Sequence, residues 1–339
     1  MLKARDTLGK YRIIGRVGKG GFATVYRAYD TIEGVRVALK IPHSHLLDKE
    51  TLNSFRNEVR ITASLDHPNI LPMKNASFIG KRFVIVYPLG EATLADRLKR
   101  RLAGRTALAL VEQLLEAVAN AHEHRIIHCD IKPENVVLFP GDRVRLTDFG
   151  IAKVALRTRT LIGGGTGTFG YLAPEQGIGR PSLRSDVFAL GLVIYRMFAG
   201  ALPEWPYDWP PAGFARLRRN VHPDLISFLR RAMELDERDR YEDAGRMLTA
   251  FRRIKKHALR TAARRRKPKA SGDGKWKTVR MREFRRRYGK FLEARHTCGK
   301  CRGPVAESMF HCPWCGTARR VYRGTTTFPA RCRRCGRSA

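Results

Sequence analysis

The chain has 339 residues, 43% of them hydrophobic, enough for one two-lobed domain with a real core and a smaller module besides. Its formal net charge of +35 is unevenly placed: residues 251–339 hold 28 Lys and Arg against 4 Asp and Glu, so the tail is a separate electrostatic object that would attract nucleic acid, an anionic membrane face or acidic proteins. Met1 to Asp6 carry no apolar stretch behind their charges, and the longest apolar run, Val187 to Leu202, is interrupted by Arg196; no secretory signal and no transmembrane segment is expected, and the chain should be cytoplasmic.

In chain order, residues 11–41 alternate apolar and polar positions around a glycine-rich turn, which predicts a hairpin followed by another strand. The turn is Gly18-Lys19-Gly20-Gly21-Phe22-Ala23, with Val25 beyond it, and its glycines would let backbone N–H groups approach phosphates. Residues 52–65 read as a helix, and residues 83–86 as a strand leading into Tyr87-Pro88-Leu89. Residues 94–101 and 107–124 show helical spacing with charges on the opposite face and read as core helices; His122 and His124 on the second read as surface or packing residues.

Then comes His128-Cys129-Asp130-Ile131-Lys132-Pro133-Glu134-Asn135, followed by Asp148-Phe149-Gly150. A carboxylate, a lysine two residues on, an asparagine five residues on and a later Asp-Phe-Gly are the parts needed to move a phosphoryl group from a Mg-nucleotide to a hydroxyl. Asp130 would accept or orient the hydroxyl proton, Lys132 would neutralise charge on the transferred group, and Asn135 and Asp148 would hold the metal. Between them, Val136 to Phe139 and Val144 to Leu146 flank a Pro140-Gly141-Asp142 turn, a small hairpin that would face Asn135 and Asp148 toward the same phosphates.

These motifs resemble the eukaryotic-like Ser/Thr protein kinases, whose catalytic loop usually reads HRDxKxxN. The resemblance covers residues 8–255 and implies an α+β, two-lobed protein kinase fold: a small β-rich N-lobe and a helical C-lobe. It makes Lys40, in Val37-Ala38-Leu39-Lys40, the candidate for the nucleotide's α- and β-phosphates. Of Glu50 and Glu58, Glu58 fits the ion-pairing glutamate, by its position before His67-Pro68-Asn69-Ile70. Gly18, Gly20, Gly21, Val25, Ala38, Tyr87 and Leu89 would line the nucleotide, the last two as a hinge in which Pro88 lacks a donor. Ala23 replaces the loop's third glycine, a change that should keep ATP binding.

By the same resemblance, Asp148 to Ala173-Pro174-Glu175 is an activation segment containing Thr158, Thr160, Thr166 and Thr168. Thr168 would bond to the catalytic Asp and Lys, and with Lys132 it implies Ser/Thr specificity. Cys129 stands where most members have an arginine that reads a phosphothreonine. A cysteine cannot form that pair, so activity should depend less on loop phosphorylation. Asp186 would brace the catalytic-loop backbone or cap its helix, and Arg240 would pair with Glu175.

Residues 256–295 read as a basic linker with a short helix from Thr278 to Ala294. Its Trp276, Phe284, Tyr288 and Phe291 would either stack on bases or anchor the helix on a neighbouring module. Residues 296–339 carry Cys298-x-x-Cys301, Cys312-x-x-Cys315 and Cys332-x-x-Cys335, a spacing that favours structural Zn2+ over disulfides. The first two pairs resemble a zinc ribbon, and a second could use Cys312/Cys315 with Cys332/Cys335. The pair left over would be spare, or use His296, His311 or another chain.

The expectation is therefore an ATP-dependent Ser/Thr protein kinase, using Mg2+ or Mn2+, that phosphorylates a protein substrate and recruits a partner through a zinc-binding tail. Two rivals stand beside it. One is a pseudokinase scaffold, against which the complete set Lys40, Glu58, Asp130, Asn135 and Asp148 argues; the other is a kinase tethered to nucleic acid through its basic tail.

Overall fold

The structure, a computed structural model, describes residues 2–43, 49–149, 169–204, 207–259, 298–302 and 317. Gly150, the four activation-segment threonines, the helix expected from Thr278 to Ala294, and Cys312, Cys315, Cys332 and Cys335 lie outside the described residues. The chain divides into two compact units, Met1–Arg260 and Thr261–Ala339.

The first unit opens with five antiparallel strands and one helix: β1 (Thr7–Leu8), β2 (Tyr11–Lys19), β3 (Ala23–Asp30), β4 (Val35–Pro42), α1 (Lys49–Ser64) and β5 (Asn75–Ile79). With β6 (Arg82–Pro88) they make a six-stranded sheet in the order β1-β2-β3-β4-β6-β5. The two-residue period of a strand explains its two faces. Val37, Leu39 and Ile41 of β4 join Tyr11, Ile13, Tyr26, Val84 and Val86 in one apolar cluster. The alternate residue Ala38 packs with Phe55, Leu71, Phe83, Ile85 and Tyr87 on the other side, under α1.

The rest of the unit is mainly helical. After β7 (Ala92–Thr93) come α2 (Leu94–Leu98) and α3 (Gly104–Glu123). The hairpin of β8 (Val136–Phe139) and β9 (Arg143–Leu146) pairs Val136 with Leu146, as its turn predicts, with Gly141 and Asp142 at φ +77° and +55°. Then follow α4 (Pro174–Gly177), α5 (Leu183–Ala199), α6 (Phe214–Asn220), α7 (Pro223–Ala232) and α8 (Ala244–Lys255).

Helix α5 is apolar nearly all round and so becomes the axis of the lobe, buried from Ser185 through Tyr195. Each large side chain sealed this way contributes about 1.5–3 kcal/mol. Gly191 lets α7 approach: a Cβ there would lie 2.9 Å from Met233 and 3.0 Å from the Ala232 methyl. Helix α8 lies along α3, where Arg252 reaches Glu112 (3.0 Å) and Glu116, and Lys255 also takes Glu112.

Three sequence expectations shift here. The helix expected over 94–101 ends at Leu98, and the one expected over 107–124 starts at Gly104. Asp186 is not the cap of α5; Ser182 is, its backbone N–H donating to Ser185 Oγ at 3.0 Å, which frees the Asp186 carboxylate for another duty. No helix among the described residues is long and apolar enough to cross a membrane.

Candidate active site

Strand register assembles the nucleotide side of the site. Gly18 pairs with Val25, Val25 with Lys40, Lys40 with Ile85 and Ala38 with Tyr87. These residues therefore share one face of the sheet, the face that α1 covers. Gly20 and Ala23 close the glycine-rich turn, Gly20 N–H donating to the Ala23 carbonyl at 2.9 Å.

Lys40 is the hinge pin of the charges. Its Nζ lies 2.6 Å from Glu58 Oε1 and 2.7 Å from Asp148 Oδ1, so one ammonium joins α1 to the end of the β9 strand segment. Burial works to lower the Lys40 pKa, but Asp148 and Glu58 together hold it above its usual range. For Asp148 burial pushes upward and the Lys40 charge outweighs it, leaving that carboxyl below its usual value. Glu58, fully buried, is the odd charge: burial lifts its carboxyl to about 7 against the pull of Lys40. One cation cannot neutralise two carboxylates, so the more deeply buried acid takes up a proton first. Glu58 Oε2 has no hydrogen-bond partner among the described residues, while Tyr87 donates its hydroxyl to Oε1 at 3.3 Å.

Across the cleft, Asp130 Oδ2 is held by Lys132 Nζ at 2.7 Å and by Asn135 Nδ2 at 3.0 Å. Asn135 Nδ2 also donates to the Asp130 carbonyl at 2.8 Å. Both amide hydrogens of Asn135 are thus used, which leaves its oxygen as an acceptor. That oxygen and the second carboxylate oxygen of Asp148 are hard donors of the kind that could hold Mg2+.

The loop that carries Asp130 is clamped by its backbone. Asp186, nearly fully buried, accepts from His128 N–H (2.7 Å) and Cys129 N–H (2.8 Å). Cys129 sits at φ +63° and Asp148 at φ +68°, left-handed conformations that cost free energy for residues with a Cβ. The clamps keep the loop there, and Gln176 Nε2 adds another by donating to the Cys129 carbonyl. Arg240 closes the lower side with a two-pronged pair to Glu175, at 2.8 and 3.0 Å, as the sequence predicts.

Several residues act here beyond what the sequence suggests. His122 is a buried packing residue, and also a bridge: its Nδ1 accepts from Ala244 N–H at 3.0 Å, so its Nε2 carries the proton and donates to Asp186 at 3.0 Å. His128, fully buried, accepts from Asp130 N–H on Nδ1 (3.2 Å) and donates from Nε2 to the Thr147 carbonyl (2.9 Å), its ring tilted against Phe149 with centroids 4.7 Å apart. Tyr87 sends its ring under Glu58 rather than serving only through its backbone. The sequence leaves His122 as a surface or packing residue, and nothing local marks its partner 64 residues away. Leu89, expected in the hinge, lies just past the end of β6.

In the second unit the described residues give one tight turn. The Cys298 carbonyl accepts from Arg302 N–H at 2.8 Å, and Arg302 is left-handed at φ +52°, so Cys298 and Cys301 share one knuckle.

Residues 11–242 match the protein kinase domain family. The probable serine/threonine-protein kinase PknB of Lactococcus lactis is 32% identical over 261 residues, covering 71% of this chain and 41% of that protein. Serine/threonine-protein kinase PrkC of Bacillus subtilis is 35% identical over 213 residues, covering 60% of this chain and 32% of that protein. The chain thus spans less than half the length of these relatives. The crystal structure of the Mycobacterium tuberculosis PknI kinase domain superposes with a TM-score of 0.58 at 27% identity, over 75% of this chain and 99% of that one.

Proposed function

The chain belongs to the protein kinase family, with a kinase unit of the eukaryotic-like serine/threonine type found in its bacterial relatives, and from this premise we propose that it transfers the γ-phosphate of Mg-ATP to Ser and Thr hydroxyls of proteins. The observation that carries the reading is the pairing of two charge clusters, Lys40 with Glu58 and Asp148 on one side and Asp130 with Lys132 and Asn135 on the other.

In this reading, Gly18, Gly20, Gly21 and Val25 cover the nucleotide, and Ala38, Tyr87 and Leu89 border its base. Lys40, steered by Glu58, contacts the phosphates. Asn135 and Asp148 hold Mg2+ or Mn2+, which when bound neutralises phosphate charge. The Asp130 carboxylate, oriented through Oδ2, accepts the proton that the substrate hydroxyl loses as its oxygen attacks the γ-phosphorus and the bond from that phosphorus to the bridging β–γ oxygen breaks, releasing ADP. Lys132 offsets negative charge on the transferred group beside it.

The tail completes the proposal. The Cys298–Cys301 knuckle supports structural Zn2+, in which Cys312 and Cys315 would supply the other two thiolates with Cys332 and Cys335 as the pair left over, and a net excess of 24 positive charges in residues 251–339 supports recruitment of an anionic partner, protein or nucleic acid.

The test is transfer of labelled γ-phosphate to a generic protein substrate by the full chain and its Asp130→Asn variant. Turnover should fall by about two to four orders of magnitude with thermal unfolding unchanged. Equal turnover by a folded variant removes the mechanism.

A further inference from the structure

Away from the catalytic groups, the structure contains a cleft of about 630 Å3 between the end of α2, the last turns of α5 and helix α6. Six cations line it, Lys99, Arg100, Arg101, Arg196, Arg216 and Arg219, and no carboxylate does. Lys99 is engaged by Asp96 at 2.7 Å. No carboxylate among the described residues pairs with the other five. A concave surface focuses the field of like charges, and five of these six have no carboxylate partner among the described residues to quench it.

Two details show that the cleft is built into the packing. Gly200 is left-handed at φ +75°, and a Cβ on it would lie 2.3 Å from Arg216 Nη1, so the guanidinium occupies space that only a glycine leaves. Arg196 Nη1 donates to the Tyr171 hydroxyl at 2.6 Å. Tyr171 ends the helical turn Phe169–Tyr171, at the close of the segment that begins at Asp148. The cleft therefore adjoins the platform on which, under the proposed function, a substrate peptide lies.

The occupant must bring negative charge, and the neighbouring chain does not supply it: no Asp or Glu occurs between Asp148 and Glu175. We propose that this cleft binds an acidic stretch of the protein substrate, its carboxylate or phosphate groups meeting the arginines, and that it selects substrates acidic beside the phosphoacceptor. This rests on the protein kinase reading. Arginine suits the role because its planar fork meets carboxylate and phosphate with two parallel hydrogen bonds.

The experiment uses the full chain throughout, so the basic tail contributes equally to every arm. A labelled Asp/Glu-rich peptide without hydroxyl side chains is titrated by fluorescence anisotropy. The variant Arg100→Ser/Arg101→Ser/Arg219→Ser removes three exposed charges of the cleft; Arg82→Ser/Arg246→Ser/Arg253→Ser removes three exposed charges elsewhere. Arg216→Gln is tested alone. The cleft triple variant should bind about tenfold more weakly, with little change in the control. In kinetics, KM for an acidic-flanked Ser peptide should rise about tenfold in the cleft variant while kcat, and both constants for a neutral-flanked peptide, stay put.

Equal weakening by the two triple variants, or an unchanged KM, overturns the proposal. So does loss of acidic-peptide binding upon autophosphorylation alone, which would assign the cleft to the chain's own phosphothreonine. Specific anisotropy binding without transfer to any peptide would uphold the acidic site and remove the kinase reading instead.

Discussion

Glu58 carries the sharpest single-residue consequence. Its carboxyl, lifted by burial to about 7 from an ordinary 4.5, is protonated in the folded chain over a range where the unfolded chain has already released that proton. The folded state binds more protons between those two values, so this group's contribution to stability is largest at low pH and declines as pH rises through the window. Glu58→Gln removes the titration. The unfolding free energy of the wild type relative to the variant should drop by as much as about 3 kcal/mol between pH 5 and pH 8. Urea denaturation at several pH values reads this directly, and a flat difference contradicts it. Lys40, Glu58, Asp130, Asn135 and Asp148 are named in the sequence through the resemblance of its motifs, and the structure brings Lys40, Glu58 and Asp148 together and Asp130 beside Asn135. The ring of Tyr87 against Glu58 is not legible in the sequence, because it depends on which residue of β4 faces it, a register that spacing along one strand does not specify.

At the scale of elements, Arg240 joins α4 to the start of α5. It is almost fully buried, its guanidinium bonds Glu175 twice, and it also donates to the carbonyls of Arg184, Glu234 and Leu235. Arg240→Ala strands a carboxylate and three carbonyls, and should lower stability by about 3–5 kcal/mol, visible as a fall in Tm of the full chain. A change within measurement error would show that water replaces the arginine without cost. Cys129 bears on the activation segment. Its backbone is held by Asp186 and Gln176, so the loop keeps its shape without an arginine–phosphothreonine pair. Replacing Thr158, Thr160 and Thr166 together by Ala should therefore retain most phosphoryl transfer; complete loss in a folded variant would show that a phosphate is read by some other group. Periodicity made the strands within 11–41, β6, helices α1, α2 and α3 and both strands of the β8–β9 hairpin readable, while β1, β5, β7, α6, α7 and α8 were not among the expectations. Element ends were not readable, since α2 and α3 stop and start where tertiary contacts decide.

At the scale of the whole molecule, charge and compactness divide the chain at nearly the same place. Met1–Arg260 forms one unit, and most of the excess positive charge lies after residue 250. A chain ending at Arg260 should keep its Tm and its transfer to a generic peptide, while losing any retention on anionic partners. Retention of the full chain on nucleic acid should weaken steeply with salt if the partner is a polyphosphate, and hold if it is a folded protein. Loss of folding on truncation would show that the tail is part of the unit. The change in charge after residue 250 was visible in composition; whether the cysteines meet as one metal site was not, because three pairs admit more than one pairing.

The clasp between α3 and α8 has a mechanical side. The chain passes from α8 toward the basic tail, so any load applied through a captured partner enters just past that helix. Arg252 and Lys255 share it between Glu112 and Glu116. Beyond them, the N-terminus of α8 hangs on His122, and through it on Asp186 and the backbone beside Asp130. A tether pulling on the tail is thus borne first by the bond from His222 N–H to the Ala258 carbonyl and by the Val221–Leu259 bridge, then by the clasp, and the catalytic loop feels tension only after these have let go.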